Sequence, residues 1–329
     1  MNFKILKLED KKEWEHALSL VQTYDFYHTA SYHQLDKSGE ARLLTFQDGN
    51  DIMALPLIFR KIDNTSYFDV TSVYGYAGWI RSKDAYFDNV AQILQDYFEK
   101  EKVVSAFSRI HPIIEGADAF PVGVVEESNI TLGIDLTLDS TEQLREYSRS
   151  VRRSINKSRK SGINVKMSSS REGVEVFTTI YQEAMFRLKA PAHLFFTPEY
   201  FEYLLRSKEF EAFILLAELS GTAIGGAMFI SCNEFMAYHL STAVEKYKAY
   251  SPLKLIIDEA RKIGNEKKLS VLHLGGGYGG HNDNLYIFKQ RMSSLDYVFK
   301  VWKWIVNDSV YQEMSYGKKS TFFFPLYRS

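Results

Sequence analysis

Leu216-Ala-Glu-Leu-Ser-Gly-Thr-Ala-Ile-Gly-Gly-Ala-Met-Phe-Ile230 reads as an apolar strand, a glycine turn and a second apolar strand. Leu44-Thr-Phe-Gln-Asp-Gly-Asn-Asp-Ile-Met-Ala-Leu-Pro-Leu-Ile-Phe59 reads the same way, with Gly49 matching Gly221 and Ile52 matching Ile224 at a separation of 172 residues. Upstream of each hairpin a short helix opens on threonine, at Thr29-Ala-Ser-Tyr32 and Thr197-Pro-Glu-Tyr200, 168 residues apart. Two separate elements sharing nearly one offset point to a duplicated domain.

Both copies run on alike. A third strand (67–72; 234–242) leads to a helix (84–102; 252–264) and a buried strand (103–110; 270–274). Between the copies, 140–161 reads as one basic helix, with Leu144, Tyr147, Val151 and Ile155 on one face and Gly162 as its stop. The expected fold is α/β (α+β), with a first domain over 1–138, a second over 139–329, and a C-terminal tail placed to pack back on the first domain.

A chain of 329 residues with 45% apolar and 25% charged residues is an ordinary globular composition for two domains. A net charge of −1 leaves no global field to collect nucleic acid, so any polyanion site must be local, and DNA is not an expected partner. Cys232 is the only cysteine and reads as a buried structural thiol in a reducing compartment. The N-terminal stretch lacks the apolar core of an export signal, and charges break the apolar run at 210–230, so a cytoplasmic protein without a transmembrane segment is expected. The eight histidines show no ligand spacing, so no metal site is expected.

Three stretches carry candidate chemistry. Arg145, Arg149, Arg152, Arg153, Lys157, Arg159 and Lys160 form a cationic stripe on the linking helix, opposed only by Glu142 and Glu146. Glu245-Lys-Tyr-Lys-Ala-Tyr-Ser-Pro-Leu-Lys254 enters a helix at Ser251-Pro252, where free N–H groups with Lys246, Lys248 and Lys254 suit a phosphate or pyrophosphate. The cluster Gly275-Gly-Gly-Tyr-Gly-Gly280 formally fits G-x-G-x-x-G, but too little chain follows it for a dinucleotide fold. It reads instead as a loop that lets a substrate approach the backbone, followed by a short helix that projects Lys289. In the first copy, Arg109-Ile-His-Pro112 ends a strand where open α/β sheets place ligands, and Tyr74-Gly-Tyr-Ala-Gly-Trp79 is the other aromatic and glycine-rich turn of that copy. His239 and His273 lie on strands expected to be buried.

The series Arg152-Arg153-Ser-Ile-Asn-Lys157, Tyr200-Phe201, the hairpin at Gly221, Tyr238-His-Leu-Ser241, Ser251-Pro252 and Leu285-Tyr-Ile-Phe-Lys289 resembles the Fem-type aminoacyltransferases and related GNAT-superfamily acyltransferases. Tyr74-Gly-Tyr-Ala-Gly78 and Arg109-Ile-His-Pro112 extend the likeness over the first copy. The resemblance implies two tandem GNAT-like domains with mixed sheets and a cleft between them, and acyl transfer to an amine. It gives Lys289, of the Phe288-Lys289 pair, contact with the donor and support of the charged intermediate.

The expected donor-side residues are Lys246, Lys248, Ser251, Gly275, Gly276, Gly277 and Phe288; the expected acceptor-side residues are Tyr74, Tyr76, Arg109, Arg152, Arg153 and Arg187. Amine deprotonation is left open among His239, Asp283, water and the substrate itself. With no inserted coiled-coil arm, the expected donor is acyl-CoA and the acceptor an amine on a cell-envelope or nucleotide-linked sugar precursor. The first alternative is a Fem-type enzyme that uses aminoacyl-tRNA in peptidoglycan bridge formation, and the second a non-catalytic binding protein of the same fold. No permanently bound cofactor is expected; a lipid-linked acceptor and peripheral membrane contact remain open.

Overall fold

A computed structural model describes residues 1–83, 85–277, 283–319 and 323–329, the His193 side chain excepted. It divides into two compact units, Met1–Asn129 with Val298–Ser329, and Ile130–Tyr297. In chain order the elements are β1 (Asn2–Lys7), α1 (Lys11–Leu20), α2 (Ala30–His33), β2 (Glu40–Asp48), β3 (Asp51–Lys61), β4 (Phe68–Thr71), β5 (Ile80–Arg81), α3 (Val90–Lys100) and β6 (Val103–Arg109). Within β7 (Val124–Asp135) the chain leaves the first unit. The second unit adds α4 (Ser140–Glu146), α5 (Arg149–Lys160), β8 (Asn164–Ser168), α6 (Arg171–Arg187), α7 (Pro198–Leu205), β9 (Glu211–Leu219), β10 (Thr222–Cys232), β11 (Phe235–Ala243), α8 (Pro252–Glu266), β12 (Val271–Gly275) and α9 (Asn284–Gln290). The chain returns to the first unit within β13 (Leu295–Ile305) and continues into α10 (Asp308–Ser315).

The two units repeat one strand order. In the first, β1, β2, β3 and β4 pair antiparallel in succession, β4 pairs parallel with β6, and β6 pairs antiparallel with Val301–Ile305 of β13. In the second, β8, β9, β10 and β11 pair antiparallel, β11 pairs parallel with β12, and β12 pairs antiparallel with Leu132–Asp135 of β7. The hairpin turns fall on Gly49 (φ 58°) and Gly221 (φ 79°), left-handed positions that favour glycine.

The sixth strands are exchanged. β7 follows β6 in sequence yet completes the second sheet, whereas β13 follows β12 yet completes the first. The chain is therefore not divided at one point near residue 138, and 298–329 belong to the first unit.

In the second unit α8 lies against β9 to β12 and carries α5, while α6 lies against β9 to β11 and carries α7. Phe213, Phe229 and Tyr238 share a core with Val151, Ile155 and Leu255 on the α8 side. A Cβ on Gly226 would stand 2.7 Å from Phe177 of α6, so the strand backbone approaches that helix closely. Buried apolar residues on both faces explain the near-continuous apolar run of β10.

Three expectations change. The linking helix is two helices: Asp139 caps α4 in a reciprocal box with Glu142, Tyr147 turns extended into the core, and the Ser148 hydroxyl accepts from Val151 N to start α5. The first copy's helix begins at Val90 rather than near 84, and Asp84 lies outside the described residues. Thr29 caps α2 by accepting from Tyr32 N, but Thr197 makes no such side-chain bond ahead of Pro198.

Candidate active site

The ladder between β11 and β12 pairs Phe235–Ala237 with Val271–His273 and ends there. Just beyond it both strands are irregular. Met228 and Phe229 of β10 face Leu240 and Tyr238, leaving His239 as an extra residue in β11; His273 and Gly275 face Gly133 and Leu132, leaving Leu274 extra in β12. Tyr238 to Ala243 thus continue with no strand partner on the β12 side among the described residues. An opening in a sheet offers backbone N–H and C=O groups to a ligand.

Lys289 lies beside this opening. It is 8% exposed, and Nζ donates to the Gly276 carbonyl at 2.7 Å. Gly276 follows Gly275 (φ 71°), the left-handed residue that turns the chain out of β12. Nζ also stands 6.0 Å from the Tyr238 ring centroid. Burial pushes the Lys289 ammonium down to about 8, against the opposing pull of Asp283. Asp283 itself caps α9, accepting from Tyr286 N at 2.9 Å. Phe288 is half-buried against the core. Gly280 and His281 lie outside the described residues.

His239 does not join Lys289. It faces the α7 side, where its Nε2 is 2.8 Å from the Tyr200 hydroxyl, while Tyr238 packs on the α8 side. Burial lowers the His239 imidazole to about 3. The expected set of Lys289, His239 and Asp283 therefore separates into two places, with Lys289 and Asp283 together. His273 is buried and lies edge-on to Tyr297, with ring centroids 6.4 Å apart.

At the entrance of α8, Ser251 sits left-handed (φ 53°) and its side chain makes no capping bond. Lys248 pairs with Glu245 at 2.6 Å, Arg187 reaches the same carboxylate at 3.0 Å, and Lys246 lies over the Tyr247 ring at 5.0 Å. Two of the expected cations are thus compensated. Lys254, the third lysine expected there, donates to Ser154 Oγ of α5 at 3.1 Å, and burial and then Arg291 lower its ammonium. On α5, Arg159 pairs with Asp258 at 2.6 Å, whereas Arg149, Arg152, Arg153 and Lys157 remain exposed; Arg152 makes only a 3.5 Å contact to the Leu144 carbonyl.

In the first unit Tyr74, Tyr76 and Arg109 come together. Ala77 N donates to the Arg109 carbonyl at 2.9 Å, and His111 N to the Ala77 carbonyl at 2.6 Å, pinning the tyrosine turn to the end of β6. Beneath it lies a cluster with no sequence motif. His111 Nε2 is 3.2 Å from Asp25 Oδ2, and His111 Nδ1 accepts from Ile114 N at 3.1 Å. Burial raises the Asp25 carboxyl to about 7 and lowers the His111 and His28 imidazoles to about 3. A protonated carboxyl beside neutral rings avoids stranding charge in the core. Among the described residues, no three His, Cys, Asp or Glu side chains converge as metal ligands, and no helix is long and apolar enough to cross a membrane.

Residues 145–284 match the family model described as an acetyltransferase (GNAT) domain. Among solved structures, FemX superposes with a TM-score of 0.74 at 13% identity, covering 95% of this chain and 99% of its own. L-PGS from Bacillus licheniformis gives 0.59 at 14% identity over 89% of this chain and 91% of its own. A tandem GNAT protein from the clavulanic acid biosynthesis pathway gives 0.54 at 11% identity over 92% and 98%. No curated protein sequence matches. Residues 145–284 thus carry the pattern of a GNAT acetyltransferase domain, and the fold over nearly the whole chain is similar to that of FemX.

Proposed function

We propose that the second unit transfers an aminoacyl group from an activated ester to an amine of a cell-envelope precursor, with Lys289 binding the carbonyl oxygen that turns negative. The carrying observation is the buried Lys289 ammonium, held on the Gly276 carbonyl beside the opening of β11 from β12. One of its three hydrogens is used there, leaving two for an oxyanion. The amine nitrogen attacks the carbonyl carbon and the carbonyl electrons move to oxygen. Collapse then forms the amide and expels the alcohol, which takes up a proton from the attacking amine. Positioning supplies roughly 7–11 kcal/mol of such a barrier and one oxyanion donor about 3–4 kcal/mol, so no enzyme nucleophile is required.

Aminoacyl-tRNA is the favoured donor, which reverses the ranking expected from sequence. Glu245 compensates Lys248 and Arg187 at the proposed pyrophosphate cradle, whereas Arg149, Arg152, Arg153 and Lys157 of α5 face solvent. The likeness to FemX agrees with this order. Acyl-CoA is the second reading, favoured by Lys254 and Arg291 near the start of α8.

Transfer is measured from charged tRNA and from acetyl-CoA to an amine acceptor. Transfer from RNA is expected, weakening with salt, and Arg152→Glu/Arg153→Glu is expected to raise the KM for RNA about tenfold or more. Transfer from acetyl-CoA alone, without RNA binding, overturns the donor assignment. Because Lys289 acts as a cation with its pKa near 8, kcat is expected to fall as pH rises above 8 and the proton leaves. A kcat that rises through that window would make the amine a base instead.

A further inference from the structure

Arg109 is a largely enclosed guanidinium for which the described structure supplies no hydrogen bond or ion pair. Its positive group lies 5.5 Å from the Phe107 ring centroid, and the Tyr74 and Tyr76 phenols are its favourable electrostatic neighbours. Arg60 stands near enough to oppose it, but that cation is held by Asp69 at 2.8 Å, and Asp69 is in turn bound by Arg328. Among the described residues no carboxylate pairs with Arg109. An enclosed, unpaired cation is costly, and the cost falls when an anion arrives.

The surroundings are built rigidly. Gly75 (φ 118°) sits where a Cβ would lie 2.0 Å from the Tyr27 ring, so only glycine fits between the two tyrosines in this backbone course. The Tyr32 hydroxyl donates to the Tyr74 carbonyl at 2.9 Å, and Tyr76 packs edge-on against Phe299 with centroids 5.1 Å apart. Tyr74 nevertheless leaves 48% of its surface open, so a solute can reach the group. A planar fork of donors beside phenol hydroxyls matches the oxygens of a carboxylate or phosphate.

We infer that the Tyr74–Tyr76 turn and Arg109 of the first unit form a binding site for an oxyanion, a carboxylate or phosphate group of the acceptor substrate. The inference rests on the proposed acyl transfer for the word acceptor, but the site itself is tested without turnover. The Arg109 Nε–H resonance, assigned through its loss in Arg109→Gln, is followed by NMR during titration with pyrophosphate and with N-acetyl-dialanine, and sodium chloride of equal ionic strength serves as the control.

A saturable shift with one probe is expected, and the probe that gives it identifies phosphate or carboxylate as the source. Tyr76→Phe is expected to weaken that binding several-fold and Arg109→Lys at least tenfold, with thermal midpoints near wild type. Lys289→Met should leave the shift unchanged, so a failure of the transfer chemistry does not touch this result. An Arg109 signal that follows only ionic strength, or one unmoved while either probe binds elsewhere, overturns the inference.

Discussion

Lys289→Met is expected to lower kcat by about 10²–10³, the loss typical of one oxyanion donor, while making the protein more stable at pH 7. Unfolded, the amine holds its proton up to its ordinary 10.5; folded and buried, it releases it near 8. Below about 8 the whole penalty of burying the charge is present, on the order of 3 kcal/mol for that difference. Between 8 and 10.5 the unfolded chain binds more protons, so this group makes wild-type stability rise with pH and erases the advantage of methionine. Urea unfolding of both proteins at pH 7 and pH 10.5 reads the effect directly. A variant no more stable than wild type at pH 7 would mean that the Gly276 carbonyl fully offsets the cost of burial. Unchanged turnover would remove Lys289 from the chemistry. A stabilising substitution that abolishes activity marks a position held for function.

Arg261→Met carries the largest expected loss of stability. Arg261 is buried in α8, with Nε 3.1 Å from Asp258 Oδ1 and Nη1 2.6 Å from Gln143 Oε1 and 3.0 Å from Ser140 Oγ of α4. Gln143 and Asn265 exchange two further bonds at 2.9 and 3.0 Å. Removing the guanidinium strands the Asp258 carboxylate, a change that costs about 3–5 kcal/mol. Asp258 keeps Arg159, whose half-open position puts the expectation at the lower end. The double variant Asp258→Leu/Arg261→Met should recover most of the loss, since an apolar pair needs no compensation. If the double variant is as unstable as the single one, packing of the arginine stem rather than the charge pair fixes α4 to α8.

The duplication was legible because hairpins and capped helices are local patterns, and glycine at 49 and 221 marks both turns. The exchange of sixth strands was not, since nothing local in β7 or β13 specifies a partner more than a hundred residues away. The break at Tyr147-Ser148 had a signal that the apolar spacing masked: a serine three residues before Val151 is an N-cap. The separation of His239 from Lys289 also had one. Tyr238 and His239 are consecutive on a strand, so alternation favours opposite faces. The compensation of Lys248 by Glu245 is a spacing of three within one turn, visible in the sequence. The Asp25 and His111 pairing had no such clue, being brought together by topology alone.

The exchanged strands bear on the order in which the protein is made. On the ribosome, β6 emerges long before Val301–Ile305, and at ordinary elongation rates its open edge waits roughly 10–40 s for its neighbour. The intervening 130–297 segment must be synthesised in that interval. A bare sheet edge invites pairing with other chains. A premature stop near residue 297 would therefore spare the later half and cripple the earlier one, the reverse of what a simple head-to-tail duplication suffers.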